Sequence, residues 1–600
     1  MPRQTVNTYG PPVLAIFAGT GHNEAEEILT TGPVSLPRRG FFMSVCDWFD
    51  CMRGHKMRKI EEFMAEQSTR PKRICLPDFF GRSVSLPDGP EAWSCRGKGD
   101  AVLLLGLGPG QSEQFPFWNK TSEVYWLESP VIASAVGQAR ELAGLEPRPP
   151  LPINWREVTP DEAVGLARSC RCYVYTPGMR LDPKFWGPLL GRVDAAQSVS
   201  MPQPGRAVGP GRPVLLPGND GQLLHQEVRH ALGRCGLGPV IDDLPQPLPL
   251  TAMGGASAAG DAFAANWRDF LRGSKPELLL SVNLRGLDAD GRIFHLCRAM
   301  GIPVALWFVD NPWHVLSGVR LPWWQDAHIY VTDAGFVDGL KAQGAERVFH
   351  LPLAFAPHMW RELDRLPTRF DPPLFVGRSA FPEKERFFAA ASVPQELEVE
   401  AATLLARSTG PQDAPHFFWW HSHLGGSLWP GYDVRRPGLG AERCAQANRT
   451  RWLLAGGAEQ PRQSGGLRVI GDEGWKTLLP GANIQPPVDY YAALPNCYAR
   501  AQAVLNVTSL LMPHSLSQRH FDVWASGGLL LSDATQGLNI FADALVEPMR
   551  LHGPEDFAVK CAWFQAHPAE ALDLRREWRE HLRAAHRYEH RILRIMETLG

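Results

Sequence analysis

No apolar run in this sequence approaches the length of a bilayer span, and no apolar core follows its opening residues, MPRQTVNTYG. A membrane-crossing helix needs about 20 such residues and a secretory leader about 7–15. Neither is expected, and the chain reads as cytoplasmic. Its 11 cysteines form no Cys-x-x-Cys pair and no Cys/His cluster, which argues against a zinc site or a disulfide framework. Cys170 and Cys172, two apart in a strand-like run, read as reduced buried thiols. There is no surplus of either charge: 61 basic against 63 acidic residues, a net charge of −2. Nothing therefore favours nucleic acid or an anionic membrane as partner. Lysine is scarce beside arginine, whereas tryptophan, proline and glycine are plentiful. The length of 600 residues suggests about three or four domains.

In chain order, residues 12–17 read as a strand and residues 55–66 as a charged helix. A buried strand over 101–105 then runs into Gly106-Leu107-Gly108-Pro109-Gly110, and a second strand, 124–127, ends at Glu128. Glycines that admit a close ligand and an acid on strand two have the shape of a first nucleotide-binding βα unit. Gly106, Gly108, Gly110 and Glu128 are thus a possible second nucleotide site. Against it, Pro109 removes a donor N–H and the glycine spacing is incomplete. Another strand covers 172–175. Residues 198–212, rich in Pro and Gly, read as a linker.

Strands and helices alternate from 213 onward, the pattern of a parallel sheet. Strands are expected at 213–216, 277–283, 302–309, 327–332 and 348–351, and helices at 258–271 and 292–300. Asp220, Asp310, Asn311 and Asp333 follow strand ends and should collect on one sheet edge, where a carboxylate can serve as base to a hydroxyl. Turn chemistry explains Asn-Asp-Gly and Asp-Asn-Pro equally well. A third region opens with a strand into Gly377-Arg378-Ser379. The stretch 382–465 looks long and irregular, with four aromatics at 417–420 that read as core. A strand then runs into Gly471-Asp472-Glu473-Gly474-Trp475.

The most informative stretch is NVTSLLMPHSLSQRHFDVWASGGLLLSD, Asn506 to Asp533. It reads as strand, loop, short helix, glycine turn, strand. Ser515 or Ser517 could cap the helix. Phe521, Trp524 and Ala525 make its apolar face, Arg519, Asp522 and Ser526 a polar stripe, and Gly527-Gly528 its stop. Arg519 with helix N–H groups suits a pyrophosphate, and Asp522 suits ribose hydroxyls. An ordinary Arg/Asp surface pair fits the spacing too.

Leu-Asn, a loop, then Arg-x-Phe-acid-x-x-Ala-x-Gly-Gly resembles the C-terminal part of the CgeB-like (spore-maturation-protein-like) GT-B glycosyltransferases. The likeness extends through Gln536-Gly537-Leu538 to the last helices and, more loosely, back to Gly-Ile-Pro-Val and Trp-Phe-Val-Asp-Asn-Pro at 301–312. Two departures stand out. Asp522 occupies the second position of the family's paired glutamates, and His514 the first. The resemblance implies an α/β GT-B fold, two Rossmann-like parallel-sheet domains facing a cleft, preceded here by a further Rossmann-like domain. The expected boundaries are 1–197, a linker 198–212, 213–368 on the acceptor side, and 369–600 on the donor side with a last helix crossing back. It also implies metal-independent transfer of a sugar, with no cofactor required, from a nucleotide-diphosphate sugar to a glycan or protein acceptor. Donor-binding residues would be Gly377, Arg378, Ser379, Gly471, Trp475, Asn506, Arg519, Asp522, Gly527 and Gly528. Asp310, Asp220 and His514 would be the catalytic candidates. The N-terminal glycine turn leaves open a methyltransferase using S-adenosylmethionine, which its motif resembles, or a bifunctional enzyme. The two departures leave open a non-catalytic binding or assembly protein.

Overall fold

Short apolar runs alternating with amphipathic helices build three sheets in the computed structural model, which describes residues 74–110, 115, 123–197, 211–245, 258–367, 369–460 and 466–600. The strand expected at 12–17, the helix at 55–66 and linker residues 198–210 lie outside the described residues. Among these residues no helix is long and apolar enough to cross a membrane.

The chain enters through a hairpin, β1 (Cys75–Pro77) and β2 (Ser83–Ser85). A five-stranded sheet follows, of β3 (Trp93–Arg96), β4 (Val102–Leu105), β5 (Val124–Leu127), β6 (Trp155–Glu157) and β7 (Arg171–Tyr175), in the order β3-β7-β4-β5-β6. Only β3 runs antiparallel. After it comes α1 (Pro183–Ala196).

The first six-stranded sheet contains β8 (Val214–Leu215), β9 (Val240–Ile241), β10 (Leu278–Val282), β11 (Val304–Phe308), β12 (His328–Val331) and β13 (Val348–His350). Its order is β13-β12-β11-β10-β8-β9, all parallel. Helix α2 (His225–Arg234) joins β8 to β9, and α3 (Arg292–Ala299) joins β10 to β11. The second six-stranded sheet contains β14 (Leu374–Val376), β15 (Arg468–Ile470), β16 (Asn483–Gln485), β17 (Val504–Asn506), β18 (Leu530–Asp533) and β19 (Arg550–Leu551). Its order is β16-β15-β14-β17-β18-β19, again all parallel. Each sheet reverses its winding once, between β8 and β10 and between β14 and β17. Open α/β sheets bind ligands outside the carboxyl ends of strands at such reversals.

The stretch expected to be irregular, 382–465, instead holds α4 (Gln395–Arg407), α5 (Phe417–Leu424) and α6 (Arg435–Ala455) between β14 and β15. Glycines disguised α6. Gly438 and Gly440 sit inside it because an added Cβ would stand 2.3 Å from His314 Nε2 and 2.3 Å from Trp420. Intrinsic helix preference is given up there for close packing. The insertion also helps to join the two large sheets. Phe381, Phe387, Phe388 and Phe417 surround the buried His314, and Trp429 donates Nε1–H to the Val319 carbonyl at 2.8 Å.

Helix α7 (Arg519–Ala525) links β17 to β18, and the chain ends in α8 (Pro568–Ala585) and α9 (Tyr588–Leu599). The C-terminal helices contact the strands and loops of the first large sheet. Phe355 N–H donates to the His586 carbonyl at 3.0 Å, Arg591 donates to Leu353 at 2.8 Å, and Tyr330 Oη meets Thr598 Oγ1 at 2.5 Å.

The N-terminal sheet docks through α1 against α3. A Cβ on Gly187 would lie 2.4 Å from His295 Nε2, and one on Gly191 would lie 2.5 Å from the His295 carbonyl. These two glycines, one turn apart, let the helices approach backbone to backbone. Gly191→Leu should therefore cost about 1–3 kcal/mol by overpacking, seen as a lower thermal midpoint. An unchanged midpoint would show that the seam carries no stability.

Candidate functional site

At the β14/β17 reversal one side chain spans the gap. Arg519 donates Nε–H to Asn506 Oδ1 at 2.9 Å and Nη1–H to the Val376 carbonyl at 2.5 Å. The residue as a whole is half-buried. Burial lowers its pKa. Asn506 is fully buried and also takes the Ser517 hydroxyl at 2.9 Å. The expected serine caps are therefore absent. Gln518 stands at the helix start with no side-chain cap bond, because Ser517 is turned to Asn506 and Ser515 to the Met512 carbonyl. Phe521, Trp524 and Ala525 are buried as the apolar face requires.

Two more arginines meet this edge. Arg378, after β14, is exposed and makes no hydrogen bond or ion pair among the described residues. Arg449 on α6 donates to the Ser379 carbonyl at 3.1 Å, pairs with Glu442 at 3.3 Å, and keeps its buried Nε without a protein partner. Its charge acts on Arg519. Arg449 was invisible in the sequence because it lies in the helix that glycines concealed.

Several expected donor-binding residues serve the scaffold instead. Ser379 is held by Asp472 through N–H (2.9 Å) and Oγ–H (2.6 Å). Trp475 is fully buried and donates to the Gly377 carbonyl at 2.9 Å, and a Cβ on Gly471 would stand 2.4 Å from that same carbonyl oxygen. Gly527 (φ +81°) ends α7 beside Leu363 and Leu366. Because α7 runs from the carboxyl edge of β17 back toward the start of β18, Gly527 and Gly528 lie at the wrong end of the helix for a donor. Asp522, 1% exposed, has both oxygens engaged. Oδ1 accepts from Gln518 Nε2 (2.9 Å) and Ala356 N (3.3 Å), and Oδ2 from Tyr490 Oη (2.6 Å). It ties α7 to the segment connecting the two large sheets and leaves no oxygen for a ribose. Burial pushes its pKa up to about 7. Glu227 on α2, absent from the sequence-derived candidates, belongs to the same cluster. It is 2% exposed, accepts from Tyr491 Oη at 3.3 Å, and is likewise pushed up to about 7 by burial.

Across the cleft, Asp310 follows β11. It is exposed at the sheet edge, and desolvation by the protein around it raises its pKa. Asn283 holds it, donating Nδ2–H to Asp310 Oδ2 at 2.7 Å. Asn283 and Leu284 both lie in the left-handed region, φ +51° and +62°, a conformation costing roughly 1–2 kcal/mol per non-glycine residue. Asp333 is fully buried and accepts from Gly335 N (2.8 Å) and His514 N (3.0 Å). His514, its side chain 20% exposed, stacks on Phe418 at 5.5 Å and 12°, with Nδ1 3.8 Å from Asp333 Oδ1. Burial lowers its pKa, so it is neutral at pH 7. Asp220 does not join this edge. It is exposed and pairs with Arg229 of α2 at 2.8 Å, as its turn-forming sequence allows.

The N-terminal glycine turn is filled by its own protein. Glu128 accepts from Leu107 N and Ser129 N, each at 2.7 Å. Tyr175 crowds both glycines: its Cβ would stand 2.8 Å from a Cβ on Gly106, and its ring 2.9 Å from one on Gly108. Arg140 and Arg148 take the carbonyls of Pro109 and Gly108. Gly110 follows, half-buried. The acid expected to hold a ribose instead holds the turn.

Residues 449–597 match the family model described as glycosyl transferase-like, less than half of the chain. No curated protein sequence matches. Among solved structures, the DNA-modifying enzyme β-glucosyltransferase covers 64% of this chain and 98% of its own, at 9% identity and a TM-score of 0.34. The lipopolysaccharide outer core galactosyltransferase WaaB covers 62% and 94%, at 9% identity and 0.30. The spinosyn rhamnosyltransferase SpnG covers 64% and 99%, at 11% identity and 0.27. Likenesses this distant carry no functional argument. The two-sheet α/β fold rests on the strand order itself, and the glycosyl transferase-like segment is the part that contributes Arg449 and Arg519.

The Asp522–Glu227 cluster has a pH signature. Both carboxyls rise from ordinary values, 3.8 and 4.5, to about 7, so the folded chain binds more protons than the unfolded chain between those limits. Their contribution to stability is complete below about pH 4 and is lost as pH rises through 7. Asp522→Asn should flatten part of the fall in thermal midpoint between pH 5 and 8; a slope identical to wild type would refute the shift. Asp522→Ala should cost about 1–3 kcal/mol by orphaning buried partners.

Proposed function

We propose that the chain is a glycosyltransferase of the CgeB-like kind, moving a sugar from a nucleotide-diphosphate sugar to an acceptor hydroxyl in the cleft between its two large sheets. The carrying observation is the trio Arg378, Arg449 and Arg519 at the β14/β17 reversal, two of them inside the glycosyl transferase-like segment. A diphosphate gains negative charge as its bond to the sugar breaks. Fixed guanidinium groups at that point lower the barrier electrostatically and supply paired donors. In this reading no metal is required, and residues 369–600 form the donor side. Residues 213–368 form the acceptor side, and residues 1–197 are an additional domain.

Asp310 is the base in this reading. The acceptor oxygen bonds to the anomeric carbon, the bond from that carbon to the diphosphate oxygen breaks, and the acceptor proton passes to the carboxylate. A raised carboxyl pKa suits a base working near neutral pH. His514 lines the sugar between the two walls as a neutral hydrogen-bonding group. The acceptor is a glycan or protein bearing that hydroxyl, and the cytoplasm is the expected setting.

Saturation-transfer NMR against UDP-, GDP-, dTDP- and CMP-sugars tests the site. One of the three diphosphate donors should bind, and the monophosphate CMP-sugar should not. Arg449→Ala should weaken the donor about ten- to a hundredfold, the worth of one charged hydrogen bond. Asp310→Asn should lower kcat by about 10²–10⁴ while donor affinity holds, and activity should survive excess EDTA. Failure of the folded wild type to bind any donor would refute the reading.

A further inference from the structure

The reversal of the first large sheet is bridged much as that of the second is. Arg285, just past β10, donates Nη1–H to the Leu223 carbonyl in the loop after β8, at 3.3 Å. Its position is fixed from both directions. Ser281 Oγ donates to the Arg285 carbonyl at 2.7 Å, and the next residue, Gly286, lies so close to Pro217 that a Cβ would stand 2.4 Å from it. Yet Arg285 is short of partners. It is 7% exposed, and its Nε makes no hydrogen bond to protein. The Asp310 charge acts on it, and the two make no ion pair among the described residues. Asp310 accepts from Asn283 on Oδ2 only; Oδ1 takes no hydrogen bond from the described residues.

A buried guanidinium is ordinarily held by a paired carboxylate. Here the pairing is loose, and the loop that creates it contains the two consecutive left-handed residues, Asn283 and Leu284. Such strain persists where the surroundings over-determine it, commonly at ligand sites. We infer that the β8/β10 reversal is an anion subsite of the acceptor, in which Arg285 receives a carboxylate or phosphate borne by the acceptor and Asp310 faces the neighbouring hydroxyl. The role of Asp310 rests on the reading above, whereas anion binding by Arg285 does not. The acceptor class is accordingly an acidic sugar or a phosphorylated one, and a planar guanidinium suits either group.

The test is calorimetric titration of the full chain with glucuronate, glucose 6-phosphate and glucose, and separately with UDP. It compares wild type, Arg285→Met and Asp310→Asn. At least one anionic sugar should bind wild type tenfold or more tightly than glucose, and its identity separates the carboxylate from the phosphate. Arg285→Met should bring that affinity down to the level of glucose. Asp310→Asn, which removes a negative charge beside the site, should raise it severalfold, a gain that misfolding cannot imitate. UDP affinity should be the same in all three proteins. Equal binding of glucose, no sugar binding at all, unchanged anion affinity in Arg285→Met, or a parallel loss of UDP in that variant would each overturn the subsite. Failure of UDP to bind wild type, with GDP and dTDP titrated in its place and equally silent, would instead refute the nucleotide reading, and the sugar titrations would still decide the subsite by the same outcomes.

Discussion

The cleft depends on buried hydrogen bonds that hold the carboxyl edges of two parallel sheets against each other. Asp333, at the end of β12, accepts the His514 N–H from the loop after β17. Asn311 donates to the Leu511 carbonyl of that same loop at 3.1 Å, and Asp522 accepts the Ala356 N–H. Each is a bond across a chain separation of 166 residues or more. Bonds to charged groups in a dry setting contribute about 1.5–3 kcal/mol each and cost more when broken on one side. The helices inserted between β14 and β15 reinforce them by placing phenylalanines around His314. The walls that carry Arg519 and Asp310 are therefore set by the scaffold before any ligand arrives.

The same bonds separate residues that hold the fold from residues available to a ligand. Asp522, Glu128, Ser379 and Trp475 sit where a ligand residue would be expected, and each is saturated by protein. Arg378, Arg449 and Arg285 retain unsatisfied donors at a sheet reversal. A buried polar group without a partner is costly, so its retention at a cleft is more informative than a saturated carboxylate. These three stand at the two reversals, one in each sheet, although buried Nε atoms without a protein partner occur elsewhere too, as on Arg148 and Arg451. Both gaps are bridged by an arginine bonded to a backbone carbonyl, Arg519 to Val376 and Arg285 to Leu223.

Much of the fold was legible in the chain itself. Buried β-strands are short apolar runs, and the runs at 278–282, 304–308, 504–506 and 530–533 follow the alternation that makes a parallel sheet. The edge strands Val240–Ile241 and Arg550–Leu551 were not legible, because two residues carry no periodicity. Helix α6 escaped because glycines chosen for tight packing against His314 and Trp420 look like loop residues.

For the site, local pattern sufficed where the partner is near in sequence. Asn506 and Arg519, 13 residues apart, belong to one strand–loop–helix unit and meet within it. Asp310 and His514 likewise reach the cleft, because strand ends and the loops after them must lie at a sheet's carboxyl edge. What tertiary structure alone decided was which of these groups remain available. Asp522 is occupied by Ala356 and Tyr490, Glu128 by the N–H groups of Leu107 and Ser129, and Asp220 by Arg229. Arg449 and Arg285 gain their importance only from carbonyls and charges that folding brings beside them. A sequence states which donors and acceptors exist, but a hydrogen bond also needs its second partner, and distant partners are assigned only when the chain has folded.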